Sequence, residues 1–403
     1  MSFIAIIGKT GSGKTTLVNA LTMYYPNLYR RAESYTTRMP RDNESGEYEF
    51  ISSEKLHTLL SENKILYIDQ AFGYEYAMKA SVFNDTRTNR IKEIHPDNIA
   101  KLKSHDSDVI TVVVTAAANS IIDRNRIDNL VYEDIPSDLT FFNDFTTPIE
   151  ILAEDLSRKI QAIILQKKLK LPDATTIDRI NKHGYDKIAF EFDDDKRITT
   201  ANFHQASKDF FKEKLDSINE QLKIIEIGSG NGWLSTITDH QIPSIDVSDG
   251  MNAGINQEHI SISEYNYTAF SYDKVFASLC DPYFYPTAIA KMVSMLKPDG
   301  CLYISLPSKE WSLLNRGEKQ STNFIDTLGN RYEVYSFTYA LSDMLSMGGL
   351  LGFYIDEYYK GYLDTQKVTK ISPAISSPAQ RVHIDISTLC IVECYTIKRK
   401  RLI

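Results

Sequence analysis

Eight residues near the N-terminus, Gly8-Lys9-Thr10-Gly11-Ser12-Gly13-Lys14-Thr15, have the types and spacing of a phosphate cradle, G-x-x-x-x-G-K-[ST]. Glycines let backbone N–H groups turn inward around a polyphosphate, and a following helix N-terminus adds positive partial charge. In such a loop Lys14 reaches the β- and γ-phosphates of ATP, the Thr15 hydroxyl ligates Mg²⁺, and Thr16 opens the helix beside them. A second cluster is Ser34-Tyr35-Thr36-Thr37-Arg38-Met39-Pro40-Arg41. Two arginines three apart among hydroxyls suit a phosphate monoester, because guanidinium makes charge-assisted bidentate bonds to phosphate oxygens. The plainer alternative is an exposed basic loop with ordinary salt bridges. A third cluster, Glu226-Ile227-Gly228-Ser229-Gly230-Asn231-Gly232, is followed twenty residues after its acid by Asp246. A glycine turn lets backbone approach a ligand, and such an acid can take both ribose hydroxyls. A dinucleotide site competes, but it needs G-x-G-x-x-G rather than this shorter spacing.

Each cluster needs an element to aim it. Phe3–Ile7 is a short apolar run ahead of the first glycines, and residues 15–23 should form the helix after them. Residues 109–114 are β-branched and read as another buried parallel strand. Residues 149–169 carry apolar side chains at helical spacing and end in a basic turn before Pro172, a helix stop. The domain boundary is expected near residues 170–180, giving domains of 1–172 and 173–403. In the second half a helix is expected within 201–221 and strands at 223–227, 243–247, 274–279, 301–306 and 389–397. The basic run 398–401 reads as a solvated tail.

The second cluster, with Gly46-Glu47-Tyr48-Glu49-Phe50 and then Phe72-Gly73-Tyr74-Glu75-Tyr76, resembles the guanylate kinase family, whose signature runs S-x-T-T-R-x-P-R, G-x-x-Y-x-F, F-G-N-Y-Y. The resemblance covers about residues 1–165. It implies that Arg38, Arg41, Tyr48 and Tyr76 hold the acceptor's α-phosphate and that Ser34 faces its base. It further implies that Arg124 and Arg126 are what remains of an arginine lid acting with Lys14. Several positions depart from the family. Gln70 aligns with the base-reading glutamate, and an amide suits adenine's edge better than guanine's. Glu93-Ile94-His95 falls at the family's D-x-D, Ala77 replaces a glycine, and 134–147 is rewritten.

Residues 180–403 resemble class I S-adenosylmethionine-dependent methyltransferases. The motifs are the E-x-G-x-G-x-G turn, Ile245-Asp246-Val247-Ser248 with Met251, Tyr272-Asp273-Lys274-Val275-Phe276, and Leu296-Lys297-Pro298-Asp299-Gly300. By this resemblance Glu226, Gly228 and Gly230 line the methionine and ribose, Asp246 binds ribose, and Met251, Ser278 and Leu279 lie near adenine or sulfonium. Asp281-Pro282-Tyr283-Phe284 is similar to the [D/N]-P-P-[Y/F] of amino-methyltransferases but lacks the second proline. Tyr283, Phe284 and Tyr285 either stack on a base or belong to the core, and Tyr354, Tyr358 and Tyr359 share that ambiguity. Residues 183–186 are a candidate acceptor lid. Methyl transfer depends on proximity and alignment, so no catalytic base is assigned.

Composition bounds the rest. Across 403 residues, 42% are hydrophobic and 24% charged, as in ordinary folded chains and unlike disordered ones. No apolar run approaches 18 residues and no basic leader precedes one, so neither a membrane span nor a secretory signal is expected, and cytoplasm is the default. The four cysteines form no C-x-x-C pair and read as core. A net charge of -8 disfavours long nucleic acid and favours small-molecule or nucleotide substrates. The expected fold is α/β in two domains, a P-loop nucleoside-monophosphate-kinase-like parallel sheet and a Rossmann-like methyltransferase sheet. The leading reading is a bifunctional transferase using ATP, Mg²⁺ and S-adenosylmethionine. The alternatives are a methyltransferase gated by a non-catalytic nucleotide sensor, and a nucleic-acid methyltransferase.

Overall fold

The computed structural model describes residues 1–40, 47–71, 73–84, 87–116, 135–192, 196–252, 254 and 256–400. Two compact units divide between Ile160 and Gln161. In the first, β1 (Phe3–Ile7) leads into α1 (Lys14–Tyr24), then β2 (Tyr29–Arg31), β3 (Ser34–Thr36), β4 (Tyr48–Phe50), α2 (Ser53–Ser61), β5 (Ile65–Ala71) and β6 (Tyr74–Lys79). β7 (Asn89–Glu93), α3 (Ile99–His105), β8 (Ile110–Ala116), β9 (Leu139–Asn143) and α4 (Ile149–Lys168) follow. The unit boundary falls inside α4, twelve residues before the expected 172.

β2-β7-β1-β8-β9 form a parallel sheet with β1 at its centre. Every residue of β1 is buried, so it reads as a continuous apolar run, as a strand covered on both faces must. β4-β3-β6-β5 form a separate four-stranded sheet. Thr36 and Thr37 stitch β3 to β6: the Thr36 hydroxyl donates to the Glu75 carbonyl at 2.9 Å, and the Thr37 hydroxyl accepts the Glu75 N–H at 2.9 Å. That is what the paired threonines of the sequence motif do.

The second unit begins with α5 (Ala174–Ile188) and α6 (Ile198–Leu215). α6 ends six residues short of the expected 221, and the chain beyond it turns, with the Asn219 side chain accepting the Gln221 N–H at 3.1 Å. The strands are β10 (Ile224–Ile227), β11 (Ser244–Asp246), β12 (Gln257–His259), β13 (Tyr272–Ala277) and β14 (Leu296–Pro307), with α7 (Pro286–Met295) before the last. After α8 (Lys309–Arg316) come the hairpin β15 (Ser321–Ile325) and β16 (Arg331–Tyr335), α9 (Leu341–Leu351), β17 (Phe353–Tyr362), α10 (Pro373–Arg381) and β18 (Cys390–Arg399).

The seven-stranded sheet runs β12-β11-β10-β13-β14-β18-β17, and only β18 opposes its neighbours. Alternate residues feed two cores. Val275, Ala277, Leu302, Ile304, Tyr395 and Ile397 pack on one face. Phe276, Tyr303 and Cys394 pack on the other. The first two residues of the basic run are strand rather than tail: Lys398 pairs with Asp356 at 2.7 Å, and the Arg399 guanidinium lies 3.9 Å from the Phe270 ring centre. Cys280, Cys390 and Cys394 are buried thiols, as expected of core, whereas Cys301 is partly exposed. Among the described residues no helix is long and apolar enough to cross a membrane.

Candidate functional sites

The glycine loop leaves the carboxyl end of β1 and enters α1, whose first-turn N–H groups have no partner within the helix, as suits an anion site. Gly13 has φ 90°, and a Cβ there would stand 2.3 Å from the Asn143 amide nitrogen. A Cβ at Gly8 would meet the Val114 carbonyl at the same distance. Asn143, at the end of β9, donates to the Ser12 carbonyl at 3.0 Å and holds the loop open from below. The Lys14 ammonium arches over the loop, donating to the Gly8 and Lys9 carbonyls at 2.6 Å each. The Ser12 hydroxyl is buried without a hydrogen-bond partner. Thr15 and Thr16 are exposed at the helix start. A loop with no room for a Cβ at Gly8 or Gly13, a poised lysine and an orphaned hydroxyl suit a polyphosphate.

The four-stranded sheet carries the acceptor residues. Ser34 pairs with Tyr48 and Met78, and Thr36 with Phe50 and Tyr76, so these side chains share one face. The Arg38 guanidinium lies 5.1 Å from the Tyr48 ring centre and 5.4 Å from that of Phe50. Tyr48 and Tyr76 meet edge to face at 5.9 Å. The Ser34 hydroxyl is buried and unpartnered. Arg38, Tyr48, Tyr76 and Ser34 thus converge. Arg41, Arg124 and Arg126 lie outside the described residues.

Gln70 does not join them. It pairs with Glu75, on the face turned toward α2, where Glu75 bonds Ser53 and His57. Asp69 pairs with Tyr76 and stands on the acceptor face, its carboxylate taking a 2.7 Å bond from the Asn98 amide. Residues opposite each other across an antiparallel ladder share a face, so a one-residue offset reverses the assignment. His95 is half-exposed, 3.5 Å from Asp97. Glu93 is held by Arg31 at 3.1 Å.

Lys92 is a residue that the motifs did not single out. It is 7% exposed, its ammonium lies 4.4 Å from the Tyr48 ring centre, and it makes a long 3.4 Å bond to the Ala32 carbonyl. Burial pushes its pKa down to about 8. Burial likewise pushes the Tyr48 phenol up to about 12. The sequence offered no signal for it, since its strand reads Asn-Arg-Ile-Lys-Glu with a single apolar residue.

In the second unit the strand order reverses between β10 and β13, and ligands of open α/β sheets bind in the crevice at such a switch point. A cleft of about 950 Å³ opens there, lined by Glu226, Gly228, Gly230, Asp246, Met251, Ser278 and Leu279. All seven expected positions therefore come together. Gly228 has φ 69°, and a Cβ would stand 2.7 Å from the Tyr283 ring. Asp246 accepts the Gly230 N–H at 2.8 Å and the Ser248 N–H at 2.9 Å. Burial raises its pKa, and burial with the nearby Asp246 charge pushes Glu226 up to about 8. Leu279 takes φ 48°, unusual for a branched residue, with its N–H on the Ser305 hydroxyl at 2.9 Å. The Ser229 and Ser278 hydroxyls are buried without partners.

Tyr283 lines the cleft, whereas Phe284 and Tyr285 are fully buried core. Tyr354, Tyr358 and Tyr359 sit on β17, away from the cleft lining. Tyr185, from the candidate lid, does line it, forming edge-to-face contacts with Phe192 at 5.6 Å and Phe324 at 5.2 Å. Arg197 lines the cleft too, its Nη2 buried without a hydrogen bond and 3.5 Å from Glu191. Phe192, Arg197 and Phe324 belong to no motif, and only tertiary structure gathers them.

Residues 1–130 match the family model described as Guanylate kinase. The guanylate kinase of Shewanella violacea is 33% identical over 84 residues, 20% of this chain and 41% of that protein. That of Chlamydia caviae is 29% identical over 124 residues, 30% of this chain and 60% of the relative. The chain thus spans less than two thirds of either relative's length. A solved S-adenosylmethionine-dependent methyltransferase from Mesorhizobium loti aligns with 48% of this chain and 98% of its own, at 16% identity and a TM-score of 0.34. Residues 1–130 are guanylate kinase-like, and the second unit is built on a seven-stranded α/β sheet with one strand antiparallel to its neighbours.

Proposed function

We propose that the chain is a transferase with two sites. One phosphorylates a nucleoside-monophosphate-like acceptor with Mg-ATP, and the other methylates a small molecule with S-adenosylmethionine. The observation that carries this reading is a glycine turn at the carboxyl end of a central strand in each sheet, with no room for a Cβ at Gly8 and Gly13 in one or at Gly228 in the other, and with the Ser12, Ser229 and Ser278 hydroxyls buried and unpartnered.

Phosphoryl transfer is mainly positioning and charge neutralisation. Lys14 would neutralise the β- and γ-oxygens and Thr15 would ligate Mg²⁺. Arg38, Tyr48 and Tyr76 would orient the acceptor phosphate, joined by Arg41 and, over the donor, Arg124 and Arg126. Asp69 on the acceptor face supports a base that presents N–H donors, guanine among them. In the second unit Asp246 would take ribose hydroxyls, and Glu226 with the glycine turn would flank the methionine. Arg197 would meet the methionine carboxylate. S-adenosylmethionine, when bound, supplies the electrophilic methyl. A net charge of -8 favours small substrates over polymers at both sites.

Purified chain incubated with Mg-ATP and a panel of nucleoside and sugar monophosphates tests the first site. Acceptor-dependent ADP release is expected, and no release above background with any acceptor at saturating ATP sinks the kinase reading. Saturable binding of S-adenosylhomocysteine is expected at the second site, and its absence sinks the methyltransferase reading.

A further inference from the structure

Beyond the cofactor residues, the cleft holds two charged side chains, Asp281 of the Asp-Pro-Tyr-Phe segment and Arg316, which belongs to no motif. Asp281 follows β13, and Arg316 ends α8; both line the cleft. A single residue anchors them. The Ser336 hydroxyl bonds the Asp281 carboxylate, while the Ser336 carbonyl accepts from Arg316 Nη2 at 3.0 Å. The Phe337 N–H fixes the Asp281 backbone carbonyl at 2.9 Å. Both groups are thus anchored to one residue of the chain.

Each is left with capacity to spare. Arg316 Nε is buried with no hydrogen-bond partner. Asp281 takes the Ser336 hydroxyl and its own backbone N–H, and an ionised carboxylate has about four acceptor positions. Arg316 is desolvated, and Asp281 is the charge that offsets it. The pair is neutral as a unit, so it favours an uncharged partner that offers one donor and one acceptor side by side. Nearby, Tyr185, Phe192 and Phe324 form an aromatic wall with ring centres 5.2 to 6.1 Å apart, suited to a flat ring.

We propose that Asp281 and Arg316 recognise the methyl acceptor through a lactam edge, a ring N–H beside a carbonyl oxygen on a flat heterocycle. The N–H donates to Asp281, the carbonyl accepts from Arg316 Nε, and the methylated atom lies elsewhere on the ring. The same edge is what Asp69 suits in the first unit, so one lactam-bearing compound and its phosphorylated form would satisfy both sites. This inference rests on the reading of the cleft as an S-adenosylmethionine site.

Both tryptophans of the chain, Trp233 and Trp311, line this cleft, so tryptophan emission of the full-length protein reports on it alone. S-adenosylhomocysteine is titrated first; failure there sinks the cofactor reading rather than this one. Guanosine and uridine are then added to the saturated protein, beside N1-methylguanosine and N3-methyluridine, which lack the N–H. A saturable change with guanosine or uridine is expected, weakened about tenfold or more by the N-methyl group, because a site built to pair a polar group rejects the analogue lacking it. Asp281→Asn and Arg316→Gln should each weaken that lactam probe about tenfold while leaving S-adenosylhomocysteine within about twofold. No saturable response to either lactam, equal binding of the methylated forms, or indifference to both substitutions overturns the proposal.

Discussion

Three side chains of the first unit make the sharpest residue-scale tests. Asp69 shares Tyr76's face and Gln70 does not. Asp69→Asn should therefore raise the acceptor KM, by about ten- to a hundredfold if a charged hydrogen bond worth roughly 1.5–3 kcal/mol is lost. Gln70→Ala should leave it within about twofold, and the opposite ranking in steady-state assays would return the base-reading role to Gln70. Lys92 makes a pH-dependent prediction. Its folded pKa of about 8 lies below lysine's ordinary 10.5, so the folded state binds that proton less well than the unfolded chain. Stability then rises with pH from about 8 to 10.5, where only the unfolded chain keeps the proton, and below pH 8 the charge is a net cost. Lys92→Met should raise the melting temperature at pH 7, the gain bounded at about 3 kcal/mol by linkage. The same change should weaken acceptor binding, and in the native protein that binding should fade above pH 8 as the ammonium beside Tyr48 loses its charge. Calorimetry at pH 7 and acceptor titrations from pH 7 to 9 check both.

At the scale of elements, glycine clusters and apolar runs were legible because their physics is local. β1, α1, β10 and β13 form where the residues demanded, and each glycine loop leaves the carboxyl end of its strand. The face of Gln70 was not legible. It depends on the β5–β6 register, which shifts between Ile65 and Tyr67 and so exchanges the two faces. The 398–401 run misled for a related reason: Lys398 and Arg399 belong to a strand only because β14 and β17 flank it. Arg197 and Arg316 were silent because lone arginines carry no pattern until folding brings them to one cleft. The turn after β10 yields a test of element geometry. Gly228→Ala puts a Cβ into the Tyr283 ring at φ 69°, so the ring must shift into the cleft or the turn must open. The left-handed conformation itself costs an alanine only about 1–2 kcal/mol. Cofactor affinity should fall at least tenfold, with a stability loss near that backbone figure. Unchanged S-adenosylhomocysteine binding would show that the turn does not contact the cofactor.

For the whole molecule, the open question is whether the nucleotide cradle works for itself or gates the methyl site. Each unit has its own buried core: Phe3, Ile7 and Val113 belong to one, and Val275, Ile304 and Ile397 to the other. Separate cores allow separate unfolding transitions, and a ligand that binds only the native state raises the transition of the unit that holds it. Scanning calorimetry of the full chain should show two transitions. S-adenosylhomocysteine at about a hundred times its Kd should stabilise one by about 2.7 kcal/mol, and Mg-ATP should do the same for the other. If the sites are independent, the two shifts add, and Lys14→Ala abolishes only the Mg-ATP shift. If nucleotide gates the methyl site, binding is reciprocal: Mg-ATP must change the affinity for S-adenosylhomocysteine by the same factor that S-adenosylhomocysteine changes the affinity for Mg-ATP. Two working active sites predict a coupling factor near one together with acceptor-dependent ADP release. A factor of about five or more, lost in Lys14→Ala and accompanied by no ADP release, would instead make the first unit a sensor.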